Sequence, residues 1–125
     1  MSNTAIISVV DDDESVRIAL DGLLRSSGYT VRTYANASDF LSSSGPEQTA
    51  CLISDITMPG MSGIQMYNEL ADQGIHLPVI FITGHPPPMP RVKAGAAEPV
   101  AFFPKPFRCA ELIASIESVL NRPVD

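Results

Sequence analysis

Short apolar runs that stop abruptly on polar residues constrain this chain more than any other feature. Ala5–Val10 (AIISVV), Ala50–Ser54 (ACLIS), Val79–Thr83 (VIFIT) and Val100–Phe103 (VAFF) are each of strand length, and the first is rich in β-branched residues. A strand without polar alternation has no side fit for water, so these segments require cover on both faces. Thr30–Tyr34 reads as a further, partly polar strand suited to a sheet edge.

Between the strands the apolar period lengthens to that of a helix. Val16, Leu20, Leu23 and Leu24 recur at helical spacing from Glu14 to Ser27, and Gly28 stands where such a helix would be capped. Asn36, with Asp39 three residues on, opens a short helix, and Ser42–Thr49 reads as loop. Ser62 and Gln65 form a capping box for a helix through Asp72, with Ile64, Tyr67, Leu70 and Ala71 inward. From about Arg108 to Asn121, Leu112, Ile113, Ile116, Val119 and Leu120 make an apolar stripe. The weak unit is the fourth helix. Pro86, Pro87, Pro88 and Pro90 leave only a short stretch before Pro99, so this helix is expected to be short, displaced or missing.

Five alternations of strand and helix imply a parallel sheet with right-handed crossovers and helices on both faces. The expected fold is α/β, a flavodoxin-like doubly wound (βα)5 with strand order 2-1-3-4-5 and an irregular fourth helix. A length of 125 residues suits one domain, 1–125. With 14 acidic against 8 basic residues and no basic cluster, direct binding to nucleic acid is not expected. The first apolar run lacks a basic leader and ends in three aspartates, so neither a signal peptide nor a membrane span is expected, and a cytoplasmic location is. Cys51 and Cys109 form no metal-binding or redox spacing and read as small apolar residues in a reducing compartment.

In such a sheet, ligands gather at the carboxyl ends of the strands. Asp11, Asp12 and Asp13 follow the first strand, Asp55 the third, Thr83 ends the fourth and Lys105 follows the fifth. Carboxylates brought together there repel one another unless a cation sits among them. A hard divalent ion, Mg²⁺ or Mn²⁺, suits an all-oxygen site, with Asp12 and Asp55 as direct ligands, Asp11 acting through water, and the Thr57 carbonyl as a further ligand. A carboxylate is also a nucleophile toward phosphorus, which makes Asp55 the candidate phosphoacceptor, with Lys105 and the Thr83 hydroxyl to neutralise the transferred oxygens. Plainer roles stay open at this point. The Asp11–Asp13 run could simply start a helix, Lys105 could be a structural ion-pair partner, His76 and His85 could face solvent, and Met58, Met61 and Met66 are spaced for packing.

Taken together, the segments VVDDDES, ISDITMPGMSG, VIFITGH and FFPKPF resemble the four motif regions of response-regulator receiver domains, in order and over nearly the whole chain. DITMPGMSG is the most specific of them. The wording is most similar to receivers of nitrogen-fixation and toluene-degradation regulators that carry a LuxR-type DNA-binding domain. The resemblance implies that Asp11 and Asp12 are the acid pair, Asp55 the phosphoacceptor, Thr83 the switch hydroxyl, Lys105 the family's lysine and Phe102 its aromatic switch residue. It places His85 where receivers tune phosphoryl hydrolysis and implies a cis bond before Pro106. It implies a signalling domain rather than an enzyme, one that catalyses only its own phosphorylation and dephosphorylation. The donor would be a sensor histidine kinase or phosphotransfer protein docking near the first helix, around Val16, Arg17 and Leu20. Phosphorylation would change the face made by the fourth helix, fifth strand and fifth helix, and homodimerisation can accompany it.

The chain departs from the receivers it resembles at Pro86-Pro87, where they usually carry GD, and at Lys93–Ala96, where KAGA arrives early. A proline-stiffened loop there would alter dimerisation or partner choice while leaving the phosphorylation site intact. Two other functions compete: a docking module that keeps the fold without phosphorylation, and a haloacid-dehalogenase-like phosphatase using Asp11-x-Asp13. The latter leaves DITMPGMSG unexplained and has Ser15 where that motif carries Thr or Val.

Overall fold

The computed structural model describes residues 5–56, 58–75, 77–83, 101–104 and 109–120. Strands β1 (Ile6–Val10), β2 (Thr30–Tyr34), β3 (Cys51–Asp55), β4 (Val79–Thr83) and β5 (Ala101–Pro104) form one sheet in the order β2-β1-β3-β4-β5. All four pairings are parallel. Helices α1 (Glu14–Ser26), α2 (Ala37–Ser42), α3 (Gly45–Gln48), α4 (Gly63–Asp72) and α5 (Cys109–Leu120) lie between and after them. The doubly wound order is the one expected from the alternation. The stretch in which the fourth expected helix falls, 84–100, lies outside the described residues, as do Thr57, His76, Lys105 and Pro106.

Two apolar layers explain the unbroken runs. Successive residues of a strand point to opposite faces. Ile7 and Val9 of β1, Cys51 and Ile53 of β3, and Ile80 and Ile82 of β4 therefore share a cluster with Leu20 and Leu24 of α1 and Leu112 and Ile116 of α5. Their neighbours Val10, Leu52, Val79 and Phe81 pack on the other side with Phe40 of α2 and Met66, Tyr67 and Leu70 of α4. All these strand residues are wholly buried. β2, at the edge, buries only Val31 fully and exposes Arg32 and Thr33. Its Val31 carbonyl accepts a hydrogen bond from Nη2 of Arg25, at 3.2 Å.

The helix boundaries follow from local chemistry. Asp13 caps α1, its side chain accepting from the Ser15 amide, and Ser62 and Gln65 make the reciprocal capping box of α4. α1 ends in a Schellman turn: Gly28 N–H donates to the Arg25 carbonyl and Tyr29 N–H to that of Leu24, with Gly28 at φ 95°. Of the methionines, Met66 is fully buried and Met58 nearly so, in keeping with packing roles.

Two expectations are corrected. The Ser42–Thr49 stretch is not all loop, because α3 forms at Gly45–Gln48. Pro46 pre-sets its first turn, Gly45 and Pro46 are buried, and Thr49 Oγ1 donates to the Gly45 carbonyl at 2.6 Å while meeting buried Ser8 Oγ at 2.6 Å. The cysteines also differ from each other: Cys51 is buried in β3, where desolvation pushes its thiol up to about 12, whereas Cys109 is exposed at the start of α5. Among the described residues, no helix is long and apolar enough to cross a membrane.

Two glycines of the first βα unit test the origin of the turn. A Cβ would meet nothing within 4 Å at either Gly22, inside α1, or Gly28, so only backbone conformation separates them. Gly22→Ala is expected to raise unfolding free energy by about 0.5–1 kcal/mol through helix propensity. Gly28→Ala is expected to lower it by about 1–2 kcal/mol because L-residues resist positive φ. Urea denaturation of both variants gives the comparison.

Candidate functional site

Sheet register brings the acidic residues together. Val10 of β1 is level with Ser54 of β3, and Asp55 is level with Ile82 of β4, so Asp11 leaves the sheet beside Asp55. One carboxylate oxygen from each of Asp11, Asp12 and Asp55 lies within 4.8 Å of the other two. Asp11 is fully buried, Asp55 is 6% exposed, and Asp12 is exposed. An open groove of about 560 Å³ beside the cluster is lined by Asp12, Asn36, Asp39, Pro59, Gly60 and Met61 and gives solvent a way to it.

The three consecutive aspartates have different tasks. Asp13 is the cap of α1, accepting from Ser15 N at 2.9 Å. Helix initiation thus accounts for Asp13 and leaves Asp11 and Asp12 to the cluster. That cap also engages the second aspartate of the Asp11-x-Asp13 pair. Asp11 is tied on three sides. Its N–H donates to the Tyr34 carbonyl at 3.1 Å, its Oδ1 accepts from Asp13 N at 2.8 Å, and its carbonyl accepts from Nη1 of Arg17 at 2.6 Å.

Asp55 is fixed through its backbone. Ser54 Oγ donates to the Asp55 carbonyl at 2.8 Å, Ile56 N–H to the Ile82 carbonyl at 3.2 Å, and Gly63 N–H to the Ile56 carbonyl at 2.9 Å. The first turn of α4 therefore lies directly against the end of β3. A Cβ on Gly63 would collide with the Asp55 carbonyl oxygen and approach Ser54 Oγ to 3.0 Å. In the sequence Gly63 stands out only as the last residue of the DITMPGMSG segment. Its role in close backbone approach has no local signal, because the partner is eight residues away across a turn.

The donor set suits a hard divalent ion. Oxygens around Mg²⁺ at about 2.1 Å stand roughly 3–4 Å apart, so the three carboxylates need only small side-chain movements to share one ion. Of the other residues singled out in the sequence, Thr83 is the last residue of β4, level with Pro104, and Phe102 of β5 is level with Phe81. Thr57 and Lys105 lie outside the described residues, so their relation to the cluster is not part of this geometry.

Comparison with known proteins adds an independent finding. Residues 7–117 match the family model of the response regulator receiver domain. Nodulation protein W of Bradyrhizobium diazoefficiens is 41% identical over 121 residues, covering 97% of this chain and 53% of that protein. Response regulator protein TodT of Pseudomonas putida is 42% identical over 125 residues, covering 97% of the chain and 54% of its own length. The crystal structure of FixJ-N superposes with a TM-score of 0.82 at 34% identity, covering 98% of each chain. The chain thus spans about half the length of the two curated relatives and nearly all of FixJ-N.

The contact between α4 and β3 is open to a direct test. Gly63→Ala is expected to lower stability by about 1–3 kcal/mol, the usual cost of overpacking. It should also shift the backbone amide resonances of Ser54, Asp55 and Ile56, read by ¹⁵N–¹H NMR.

Proposed function

The chain belongs to the response regulator receiver domain family, and from that premise we propose that it is a phosphoacceptor switch of a two-component system in which Asp55 receives the phosphoryl group. The observation that carries this reading is the meeting of Asp11, Asp12 and Asp55 at the carboxyl edge of the sheet, their carboxylate oxygens within 4.8 Å. Buried Asp11 and Asp55 would be poorly placed in a protein that used them only for solubility. Residues 1–125 act as one receiver domain, in a cytoplasmic setting.

Asp12 and Asp55 are assigned as direct ligands of Mg²⁺ or Mn²⁺, Asp11 as a ligand through water, and Thr57 as a donor through its carbonyl. When bound, the ion supplies positive charge to the non-bridging phosphoryl oxygens. An Asp55 carboxylate oxygen attacks phosphorus. The new O–P bond forms as the donor's P–N bond breaks, and the bonding pair leaves on the donor's imidazole nitrogen. Lys105 carries the balancing cation, paired with Asp55 at rest and with the phosphoryl group afterwards. Thr83 donates its hydroxyl to the same group, and Phe102 changes rotamer in response. The domain then shifts population toward a second packing of the face around β5 and α5, through which a homodimer forms.

The donor is a sensor histidine kinase or phosphotransfer protein that docks on α1. Here the docking surface expected from sequence is corrected: Leu20 is fully buried against the sheet and cannot meet a partner, while Val16 and Arg17 are half-buried. Ile18 is 65% exposed, beside a shallow recess lined by Glu14, Arg17, Asp21 and Thr33. An exposed Ile among charged residues is the apolar contact such a partner would cover. No contact with nucleic acid by this chain is proposed.

Intact mass spectrometry tests the chemistry. Acetyl phosphate with Mg²⁺ should add one hydroxylamine-labile phosphoryl group, absent with EDTA and absent in Asp55→Asn. No adduct from acetyl phosphate or from a phosphorylated kinase would overturn the reading and leave a phosphorylation-independent docking module. The docking surface has its own signature. Ile18→Asp should slow transfer from the kinase at least about tenfold, the scale of a lost apolar anchor, while labelling by acetyl phosphate stays unchanged.

A further inference from the structure

Asp12 is the exposed member of the acidic cluster, and its side chain draws no hydrogen bond from any described residue. Its position must come from the backbone on either side of it, and both flanking peptides are held. The peptide after Asp12 is fixed by the Asp13 amide, which donates to Oδ1 of Asp11 at 2.8 Å. The peptide before it is fixed by Arg17, whose Nη1 donates to the Asp11 carbonyl at 2.6 Å. Arg17 is itself anchored on the first turns of α1, whose orientation is set by the burial of Leu20 and Leu24. A charge-assisted bond of this length to a backbone carbonyl is among the stronger and more directional hydrogen bonds.

We infer that Arg17 is a positioning residue for the divalent site: by holding the Asp11 carbonyl it fixes the peptide plane from which Asp12 presents its carboxylate to the ion. The inference rests on the metal assignment made above. The guanidinium has two opposed effects on a cation. Its charge repels the ion, whereas its hydrogen bond orders the ligand loop in advance of binding. Asp12 is exposed on an open groove, so solvent screens the charge there, while the half-buried hydrogen bond is screened much less. The ordering effect therefore dominates, as it does for residues that orient metal ligands from behind.

Mg²⁺ titration of the ¹⁵N-labelled chain, read at the Asp12 and Asp13 amides, separates the possibilities without phosphotransfer. Arg17→Ala should weaken Mg²⁺ binding about tenfold, at the lower end of the loss when an orienting partner is removed. Arg17→Lys, which keeps the charge and the aliphatic stem but has a shorter reach and no planar fork, should weaken it comparably, and it decides the matter if the alanine variant does not fold. Urea denaturation in the absence of Mg²⁺ reports any purely structural role, which would change stability and leave ion affinity alone. Affinity within twofold of wild type in both folded variants, or tighter binding in Arg17→Ala, would overturn the inference. Failure of the wild-type chain itself to bind Mg²⁺ would instead sink the metal assignment and this inference with it.

Discussion

Carboxylates held close together repel, and much of this structure serves to keep three of them in place. One carboxylate oxygen of each lies within 4.8 Å of the other two, and two of the three residues are buried. Nothing flexible would sustain that arrangement. A one-residue slip of a strand buried on both faces would swap every side chain between two differently packed layers and draw its terminal aspartate into the apolar core, and this fixes Asp11 beside Asp55. The ends of the strands are then pinned from outside the sheet, Asp11 by Tyr34, Asp13 and Arg17, and Asp55 through Ser54 and the backbone of α4. The fold is a frame that gathers these carboxylates at one edge of the sheet, where like charges would otherwise part.

How far this could be read in the sequence depended on the range of the interactions involved. The strands were legible because burial on two faces removes polar alternation, a property of each segment by itself. The ends of α1 and α4 were legible because Gly28 and the Ser62–Gln65 pair act within one helical turn. The acidic edge was legible once strand order was known, since it needs only the residue that follows each strand. Interactions closed over longer range were not. α3 depends on Thr49 meeting Ser8, 41 residues away, and on Pro46 sinking against neighbouring elements. Gly63 depends on where the β3 backbone runs. The helical period in α1 correctly placed Leu20 inward, and assigning the same residue to a partner surface conflicted with that reading, whereas Ile18 carried the outward signal.

The division of labour in Asp11-Asp12-Asp13 shows the same limit within three residues. Composition makes them equivalent, and helix-dipole reasoning would use all of them to begin α1. The structure gives the helix Asp13 alone and turns the other two back toward β3, with the Asp11 side chain accepting from the very amide whose residue caps the helix. Cap and cluster are thus mechanically joined: a displacement of the first turn of α1 moves Asp12, and a displacement of Asp12 strains the cap. Surfaces that touch α1 and ligands that touch the acidic edge therefore act on one rigid piece.

The edge strand β2 carries a further consequence. Its Val31 carbonyl, on the side away from the ladder, is taken by the guanidinium of Arg25, and Arg32 projects beside it to meet Gln48 at 2.8 Å. An incoming strand would have to displace one cation and accommodate a second before its first rung could form. At this edge a second copy of the chain is thereby hindered from adding its own strand to the sheet, and growth of the sheet into a fibre through β2 is opposed by the charges that flank it.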